Sequence, residues 1–332
     1  MTSEPKLTAD AAGPLTEERA RWASDAVRTA ADAIEHAIQG KRRVIELVVA
    51  TMTAGGHVLL EDVPGTGKTA LARALAKSMH GTSSRIQFTP DLLPGDVTGI
   101  TVYDQKQGVF DFHAGPIFAN VVLADEINRA SPKTQSALLE VMEEHQVTVD
   151  GNTHPVHDPF LVIATQNPVE QAGTYRLPEA QLDRFMVKTS IGYPDDAAMM
   201  RILQHSGSAP EVPTVMNVGT LTQLQQFARG VYVSPLIAEY ITRLVEATRR
   251  ASEVRLGASV RGALSLQRLA SAWALVAGRP YITPDDVREL AIPVLAHRLV
   301  LEAEAEFDGV TAEAVIGQIL LDTPIPQENG TA

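Results

Sequence analysis

The sequence has no cysteine among its 332 residues. Disulfide bonds and thiolate metal sites are therefore excluded, and nothing in the composition points to secretion. No apolar run approaches the roughly 20 residues that a membrane-spanning helix needs. The N-terminal segment is polar and has no basic stretch followed by an apolar one, which is not typical of a signal peptide. We expect a cytoplasmic protein without membrane insertion.

Basic charge is also scarce in this chain. Lys and Arg together number 28 against 40 Asp and Glu, which gives a formal net charge of −12. Proteins that bind nucleic acid through its phosphates usually carry a basic surface. The composition therefore weighs against nucleic acid as a partner, although a local basic groove could coexist with an acidic whole. Internal repeats and low-complexity segments are lacking as well.

The length fits two domains at roughly 150 residues per domain. Short apolar runs alternate with helical patterns as far as residue 193, which predicts a parallel sheet sandwiched by helices. After residue 194 the strand signals stop and helical periodicity takes over, which predicts an all-α domain. We expect a disordered tail over 1–16, an α/β domain with N-terminal helices over 17–193, a helical domain over 194–323 and a flexible tail over 324–332.

The individual elements follow from apolar runs and from start and stop signals. Thr16 is a candidate N-cap for a first helix that ends near Gly40. Pro284 follows Thr283 as a second start signal, and glycines bound the first strand. The predicted strands are 57–60, 85–88, 120–124, 160–165 and 186–191, and the further predicted helices are 43–53, 69–79, 235–250, 261–277, 285–291 and 312–321.

A glycine-rich segment joins the first predicted strand to the helix that follows. In this setting backbone N–H groups and a helix N-terminus converge on an anion, so the segment predicts a phosphate-binding loop for ATP. Lys68 would contact the terminal phosphates, and the Thr69 hydroxyl would bind Mg²⁺. Asp62 stands where the strict pattern has its first glycine, and a plain glycine-rich turn is the alternative. The predicted nucleotide-binding residues are Pro64, Gly65, Thr66, Gly67, Lys68, Thr69 and Ala70.

Two further strands end in polar side chains that belong beside this loop. Asp125 and Glu126 follow an apolar run, and Asn167 follows the next one. The carboxyl ends of parallel strands share one edge of a sheet. Asp125 would therefore hold Mg²⁺ through its water shell, Glu126 would polarise the attacking water, and Asn167 would orient that water against the γ-phosphate. The alternatives are ordinary strand ends and an Asn-Pro turn.

Together these motifs resemble the AAA+ ATPases, and more narrowly the MoxR family in the clade that carries an insertion in the second helix. The resemblance covers residues 44–301 and implies a Mg²⁺-dependent ATPase with a P-loop α/β core and an all-α lid. Its most specific stretches are Leu60-Glu61-Asp62-Val63-Pro64-Gly65-Thr66-Gly67-Lys68-Thr69, Ala124-Asp125-Glu126-Ile127-Asn128-Arg129-Ala130 and Ala164-Thr165-Gln166-Asn167-Pro168. Gly173-Thr174-Tyr175-Arg176-Leu177-Pro178-Glu179-Ala180-Gln181-Leu182-Asp183-Arg184-Phe185 and Gly257-Ala258-Ser259-Val260-Arg261-Gly262-Ala263 also match, as the segment after sensor 1 and the sensor 2 segment.

The resemblance implies two roles that spacing alone does not show. Arg184 is expected to be the arginine finger that completes a neighbour's site, and Arg261 the sensor 2 arginine that reaches from the lid. Without the resemblance each would be a surface arginine in an ordinary ion pair. Arg176 and Val260 stand where the family has prolines. Arg129 belongs to the family pattern too, with an intersubunit contact and a structural role both open.

The resemblance also explains two stretches as insertions that face a central pore. They are residues 92–116 and a hairpin over 146–158 that turns at Asp150-Gly151. Lys106 is the single Lys or Arg in the first stretch, and the hairpin has none. Tyr103, Phe110 and Phe112 either grip protein or pack beneath the loop. His154 and His157 lack a third ligand in the hairpin, which favours a solvated strand over a metal site.

A MoxR-type chaperone-like ATPase is the function that the resemblance implies. Such a protein forms a ring, expected to be a hexamer, that uses ATP to remodel or mature protein clients, often with a von Willebrand factor A domain protein as partner. A nucleic-acid motor and a metal-chelatase motor subunit of the same clade are the alternatives. The acidic insertions favour protein clients over nucleic acid, and Glu126 with Arg184 disfavours a nucleotide switch without turnover.

Overall fold

The computed structural model describes residues 15–63, 65–167, 175, 177–204 and 211–326. Pro64 of the predicted phosphate loop and Arg176 of the family pattern lie outside the described residues, as does most of both predicted tails. Leu15 and Thr16 are an exception to the tail expected over 1–16. Leu15 is buried, and the Thr16 hydroxyl accepts a hydrogen bond from the backbone N–H of Arg19 at 3.3 Å, which caps the first helix.

The first half of the chain combines helices with short strands. Many of its strands are apolar and bounded by turns, as expected for strands buried on both faces. In chain order the elements are α1 (Glu17–Glu35), α2 (Arg42–Thr53), β1 (Val58–Glu61), α3 (Lys68–Ser78), β2 (Ser83–Gln87), α4 (Pro94–Thr98), β3 (Gly99–Asp104), β4 (Val109–Ala114), β5 (Val121–Asp125), α5 (Pro132–Glu144), β6 (Gln146–Val149), β7 (Asn152–Pro155), β8 (Leu161–Gln166), α6 (Glu179–Leu182) and β9 (Val187–Thr189).

The second half is mainly helical. Its elements are α7 (Asp196–Gln204), α8 (Val218–Arg229), α9 (Pro235–Arg250), β10 (Val254–Leu256), α10 (Val260–Val276), α11 (Pro284–Leu295), β11 (Val300–Leu301), α12 (Ala303–Phe307) and α13 (Ala312–Asp322). Within the described residues no helix is long and apolar enough to cross a membrane.

A parallel sheet forms the centre of the first half. Its described strands lie in the order β2-β5-β8-β1-β9, and every neighbouring pair is parallel. The loop after β1 and the residues after β5 and β8 therefore meet at one edge. The predicted parallel sheet sandwiched by helices is confirmed, and this edge is where the sequence places its polar motifs.

Alternate side chains of the strands pack into two layers on opposite faces of the sheet. Leu59 and Val162 pack with α5 on one face, where Phe88 and Phe185 are fully buried. Leu60 and Ile163 pack on the other face against α1, α2 and α3. That second layer continues without interruption into α8, α9, α10 and α11. The helical half therefore shares a hydrophobic core with one face of the sheet.

The helical half departs from the sequence prediction in several places, and α7, α8 and α12 have no counterpart among the individually predicted helices. β10 and β11 pair as a small antiparallel sheet, although no strand signal is visible after residue 194. α11 extends to Leu295, beyond the predicted end at residue 291, with Pro293 inside its last turn. Proline has no backbone N–H, so the helix continues past Pro293 without the hydrogen bond to the carbonyl of Glu289. α9 begins and ends as predicted, with a Ser234 N-cap.

Two hairpins project from the α/β half. β3 pairs with β4, and β6 pairs with β7 around the predicted turn at Asp150-Gly151, where both residues have positive φ. The ring of Phe112 in the first hairpin stacks on the ring of His154 in the second, with centroids 3.9 Å apart. The two insertions are therefore joined side by side.

Candidate active site

The loop between β1 and α3 has the backbone that phosphate binding requires. Gly65 and Gly67 have φ values of +86° and +94°, which side-chain-bearing residues rarely adopt. The second of these glycines precedes α3, which begins at Lys68. The Lys68 ammonium lies over the loop and donates to the carbonyls of Asp62 and Val63, at 3.3 and 3.0 Å. The loop is thus folded around the side chain that the sequence assigns to the phosphates.

A cleft of about 480 Å³ opens between this loop and the ends of β5 and β8. It brings together residues from segments that lie about a hundred positions apart in the chain. The lining residues are Asp62, Gly65, Gly67, Lys68, Thr69, Ala70, Arg85, Gln87, Asp125, Glu126, Thr165, Gln166 and Asn167. Every described residue of the predicted loop except Thr66 lines the cleft, as do the predicted Asp125, Glu126 and Asn167.

Asp125 is held rigidly at the end of β5. One carboxylate oxygen accepts a hydrogen bond from the Thr165 hydroxyl at 2.6 Å, and the other accepts from Nε and a terminal nitrogen of Arg85, at 3.2 and 2.7 Å. Asp125 is only 8% exposed, so both contacts act in a setting of low polarity. The carboxylate therefore has a fixed position in the cleft that Thr69 also lines, and carboxylate and hydroxyl oxygens are ligands that Mg²⁺ accepts.

Glu126 has an unusual backbone. Its φ of +58° and ψ of +48° are left-handed, a conformation that costs roughly 1 kcal/mol or more for a residue with a side chain. The conformation turns the chain directly after β5, and the Glu126 N–H donates to the Thr165 hydroxyl at 2.9 Å. Strain of this kind concentrates at functional sites.

The Glu126 carboxylate has two side-chain donors. Gln87 donates to Oε2 at 2.9 Å, and Arg129 donates to the same oxygen at 3.0 Å. For Arg129, whose role the sequence leaves open, the structure shows a contact inside the site. Sequence reasoning misses Gln87, because it approaches Glu126 only through the pairing of β2 with β5.

Arg184 and Arg261 do not line the cleft. Both guanidinium groups instead form ion pairs with Glu143 at the C-terminal end of α5, Arg184 through Oε2 at 3.2 Å and Arg261 through Oε1. The resemblance assigns these arginines different roles, one in each half of the chain. The structure places them side by side on another surface.

Hydrogen bonds around the buried side chain of Arg298 join the two backbone segments that carry Arg184 and Arg261. The carboxylate of Asp183 accepts from Nε of Arg298 at 2.7 Å and from the hydroxyl of Ser259 at 2.9 Å. Ser259 is the N-cap of α10, the helix that carries Arg261, while Asp183 precedes Arg184. Arg298 is 6% exposed, and burial lowers its pKa. The network therefore links the residue before Arg184 to the N-cap of the helix that carries Arg261.

The hairpin histidines show no metal geometry. Across the described residues no group of three or more His, Cys, Asp or Glu side chains is arranged to hold a metal ion. His154 stacks on Phe112 instead.

The parallel sheet, the phosphate loop on its carboxyl edge and the attached helical half define a AAA+ ATPase. The family model for ATPases associated with various cellular activities (AAA) matches residues 57–187, and the model for the AAA lid domain matches residues 246–319. The helical half therefore contains a AAA lid domain.

Comparison with individual proteins narrows this class. The chain is 49% identical to the YeaC protein of Bacillus subtilis over 89% of its length and 94% of that protein. It is 43% identical to the chaperone MoxR1 of Mycobacterium tuberculosis over 89% of its length and 81% of that protein. The crystal structure of a candidate ATPase from Cytophaga hutchinsonii superposes with a TM-score of 0.87 at 39% identity, covering 94% of this chain and 98% of that one. The chain belongs to the MoxR family of AAA+ ATPases.

Proposed function

We propose that this protein hydrolyses ATP with Mg²⁺ and uses the energy to remodel or mature protein clients. The observation that carries the proposal is the convergence of Lys68, Thr69, Asp125 and Glu126 in one cleft. Lys68 supplies a cation for phosphate, and Thr69 and Asp125 supply oxygen ligands for a hard metal ion. Glu126 supplies a second carboxylate. Membership of an ATPase family supports the same activity.

Each side chain has a distinct task in this mechanism. Lys68 binds the terminal phosphates, and Thr69 and Asp125 would hold Mg²⁺, which would supply positive charge for the phosphate. Glu126 accepts a proton from the attacking water, and Asn167 orients that water. The bond between the γ-phosphorus and its bridging oxygen breaks as water attacks in line, and the products are ADP and phosphate.

The position of the arginines supports a ring. Arg184 and Arg261 do not line the cleft of their own chain, which leaves Arg184 available to act as a finger on the γ-phosphate of a neighbouring chain. In such a ring Arg184 exchanges Glu143 for the phosphate of the adjacent chain, and Arg261 acts as the sensor 2 arginine that reaches from the lid. An arginine supplied in this way stabilises charge in the transition state. We propose a closed ring of six copies, in keeping with the family.

The hairpins support protein as the client. Tyr103 and Phe110 contact each other with centroids 5.0 Å apart and remain 50% and 75% exposed. Exposed aromatic pairs suit apolar segments of unfolded or partly folded protein. Lys106 lies near Asp104 and Asp111, so this surface has little attraction for a phosphate backbone. The similar MoxR1 protein is a chaperone by name. We also propose a cytoplasmic location and a von Willebrand factor A domain protein as partner.

Purified protein tests the proposal directly. We expect release of phosphate from ATP with Mg²⁺ and none with EDTA, together with a shift to ring-sized particles in ATP by light scattering. Release of phosphate at equal rates with and without EDTA would overturn the metal role. A protein that stays monomeric with ATP at high concentration would overturn the ring.

A further inference from the structure

Asp62 occupies the position where a strict phosphate-loop pattern has glycine, and its carboxylate has a specific environment. One carboxylate oxygen accepts from the backbone N–H of Ile191 at 2.5 Å, and the other accepts from the N–H of Gly192 at 3.0 Å. The residue is 5% exposed. Hydrogen bonds from backbone N–H groups to an ionised carboxylate are among the stronger ones in proteins, particularly when buried.

The two N–H groups belong to the connection between the halves of the chain. β9 ends at Thr189, and Gly192, with a φ of +66°, begins the turn that leads to α7. The connection is anchored a second time by Lys41, whose ammonium donates to the carbonyl of Tyr193 at 2.6 Å. Asp62 is therefore bonded to the segment through which any reorientation of the helical half has to pass.

The backbone of the same residue contacts the catalytic cleft. The Asp62 N–H donates to the carbonyl of Gln166 at 3.2 Å, directly before Asn167, and the Asp62 carbonyl accepts from the Lys68 ammonium at 3.3 Å. An ammonium has three donors, so Lys68 cannot keep both loop carbonyls and also bind several phosphate oxygens. Phosphate binding at Lys68 therefore releases at least one of the two carbonyls, and the longer of the two hydrogen bonds is the one to Asp62.

We infer that Asp62 is a positioning residue that couples the phosphate loop to the connection with the helical half. It transmits the change at Lys68 through its carboxylate to Ile191 and Gly192. The inference rests on the proposed function in one respect, that Lys68 binds the phosphates of ATP. A glycine at position 62 would satisfy the strict pattern and leave both N–H groups without their acceptor.

Two variants separate coupling from phosphate binding. Asp62→Gly restores the strict pattern, and Asp62→Asn keeps the shape but loses one acceptor oxygen and the charge. We expect both to bind a fluorescent ATP analogue with a Kd within about threefold of the unaltered protein, with kcat for hydrolysis reduced about tenfold or more and KM little changed. Asp195→Asn is the matched control. The Asp195 carboxylate also accepts from a backbone N–H, that of Ala198 in the first turn of α7 at 2.7 Å, but it does not line the cleft. We expect its kcat to be unchanged.

Hydrogen exchange measured by mass spectrometry distinguishes coupling from a purely structural role of Asp62, because a structural role alone would not make exchange in the connection depend on ATP. We expect addition of ATP to alter exchange at residues 190–193 in the unaltered protein and in Asp195→Asn, and to leave it unaltered in both Asp62 variants. The inference is overturned if ATP changes nothing there in the unaltered protein, or if Asp62→Asn retains both the response and full kcat. If Asp62→Gly loses its fold, Asp62→Asn still decides. Lys68→Ala that still binds ATP would instead overturn the proposed function.

Discussion

Gln87 Nε2 lies 2.9 Å from Glu126 Oε2 and donates a hydrogen bond to it. The register of the sheet creates this contact, because Gln87 on β2 is paired with Asp125, the residue before Glu126. The carboxylate that we propose as the proton acceptor is therefore held by a side chain from the edge strand β2. Arg129, three residues after Glu126, donates a hydrogen bond to the same oxygen.

Glu126→Gln should retain ATP and lose its hydrolysis. The amide cannot accept the proton of the attacking water, and a general base contributes about 10²- to 10⁴-fold to such a step. We therefore expect the rate of phosphate release to fall at least about 100-fold. The Kd for ATP should stay within about threefold of the unaltered protein. Stopped-flow binding and a phosphate-release assay measure the two quantities. Normal turnover would remove Glu126 from the base role.

Mixing two inactive variants should restore activity if Arg184 acts on a neighbour. Lys68→Ala loses its own phosphate site but still offers Arg184, and Arg184→Ala still offers Lys68. In randomly mixed rings at equal amounts, about one site in four combines an intact cleft with an intact neighbour. We expect phosphate release to recover to about that fraction. Lys68→Ala mixed with Glu126→Gln is the control without recovery, because neither chain has an intact cleft.

Removing the exposed aromatic pair should separate client contact from hydrolysis. Tyr103 and Phe110 lie on a hairpin, and neither lines the cleft. We expect Tyr103→Ala with Phe110→Ala to keep basal ATPase activity and to lose its stimulation by reduced, unfolded α-lactalbumin. Leu256→Ala, at an exposed apolar residue in the helical half, is the control. Equal stimulation of both variants would place client binding elsewhere.

His57 makes stability depend on pH. Its ring is buried between the carbonyl of Met142 at 3.1 Å and the N–H of Val162 at 3.0 Å, which fixes a neutral ring that donates from Nε2 and accepts at Nδ1. Burial lowers the pKa of His57 to about 4, from 6.5. The folded state thus favours the neutral ring. This preference for the neutral ring stabilises the folded state fully above about pH 6.5. The contribution is lost as the pH falls toward 4, and the total loss in the free energy of unfolding is about 3 kcal/mol.

His57→Gln should flatten this pH dependence, because its amide can replace both hydrogen bonds but does not titrate. Between about pH 7 and pH 5 we expect the free energy of unfolding to fall about 2 kcal/mol less in the variant than in the unaltered protein. Urea titrations followed by circular dichroism measure it. His80→Asn, at an exposed histidine, should leave the slope unchanged. The lowered pKa of buried His297 leaves some slope in all three proteins.

The fold was largely predictable because its signals are local. The predicted 57–60 strand and the helix starting at 69 are each displaced by only one residue from β1 and α3, since glycines and an apolar run mark both. The polar residues that end β5 and β8 were predictable for the same reason. The parallel direction of these strands puts their ends on one edge of the sheet, and the adjacency of β5, β8 and β1 then brings them together.

The contacts around the catalytic side chains were not predictable, because they join distant parts of the chain. Arg85 meets Asp125 across two strands, and Asp62 meets Ile191 more than a hundred residues away. The sequence shows only that Asp62 replaces the first glycine of the strict phosphate-loop pattern. Likewise, nothing in the separate motifs around Arg184 and Arg261 shows that they share one carboxylate.

Helix α5 connects the residues that follow β5 to both hairpins. It starts at Pro132, shortly after Glu126, and spans about 20 Å to Glu143 and the root of the second hairpin. Near its start the Thr134 hydroxyl donates to the carbonyl of Leu92, where the first insertion begins. Tilting such a rod by about 10° about its start shifts its far end by about 3 Å. Because the rings of Phe112 and His154 stack the two hairpins on each other, a tilt of α5 would displace both hairpins together.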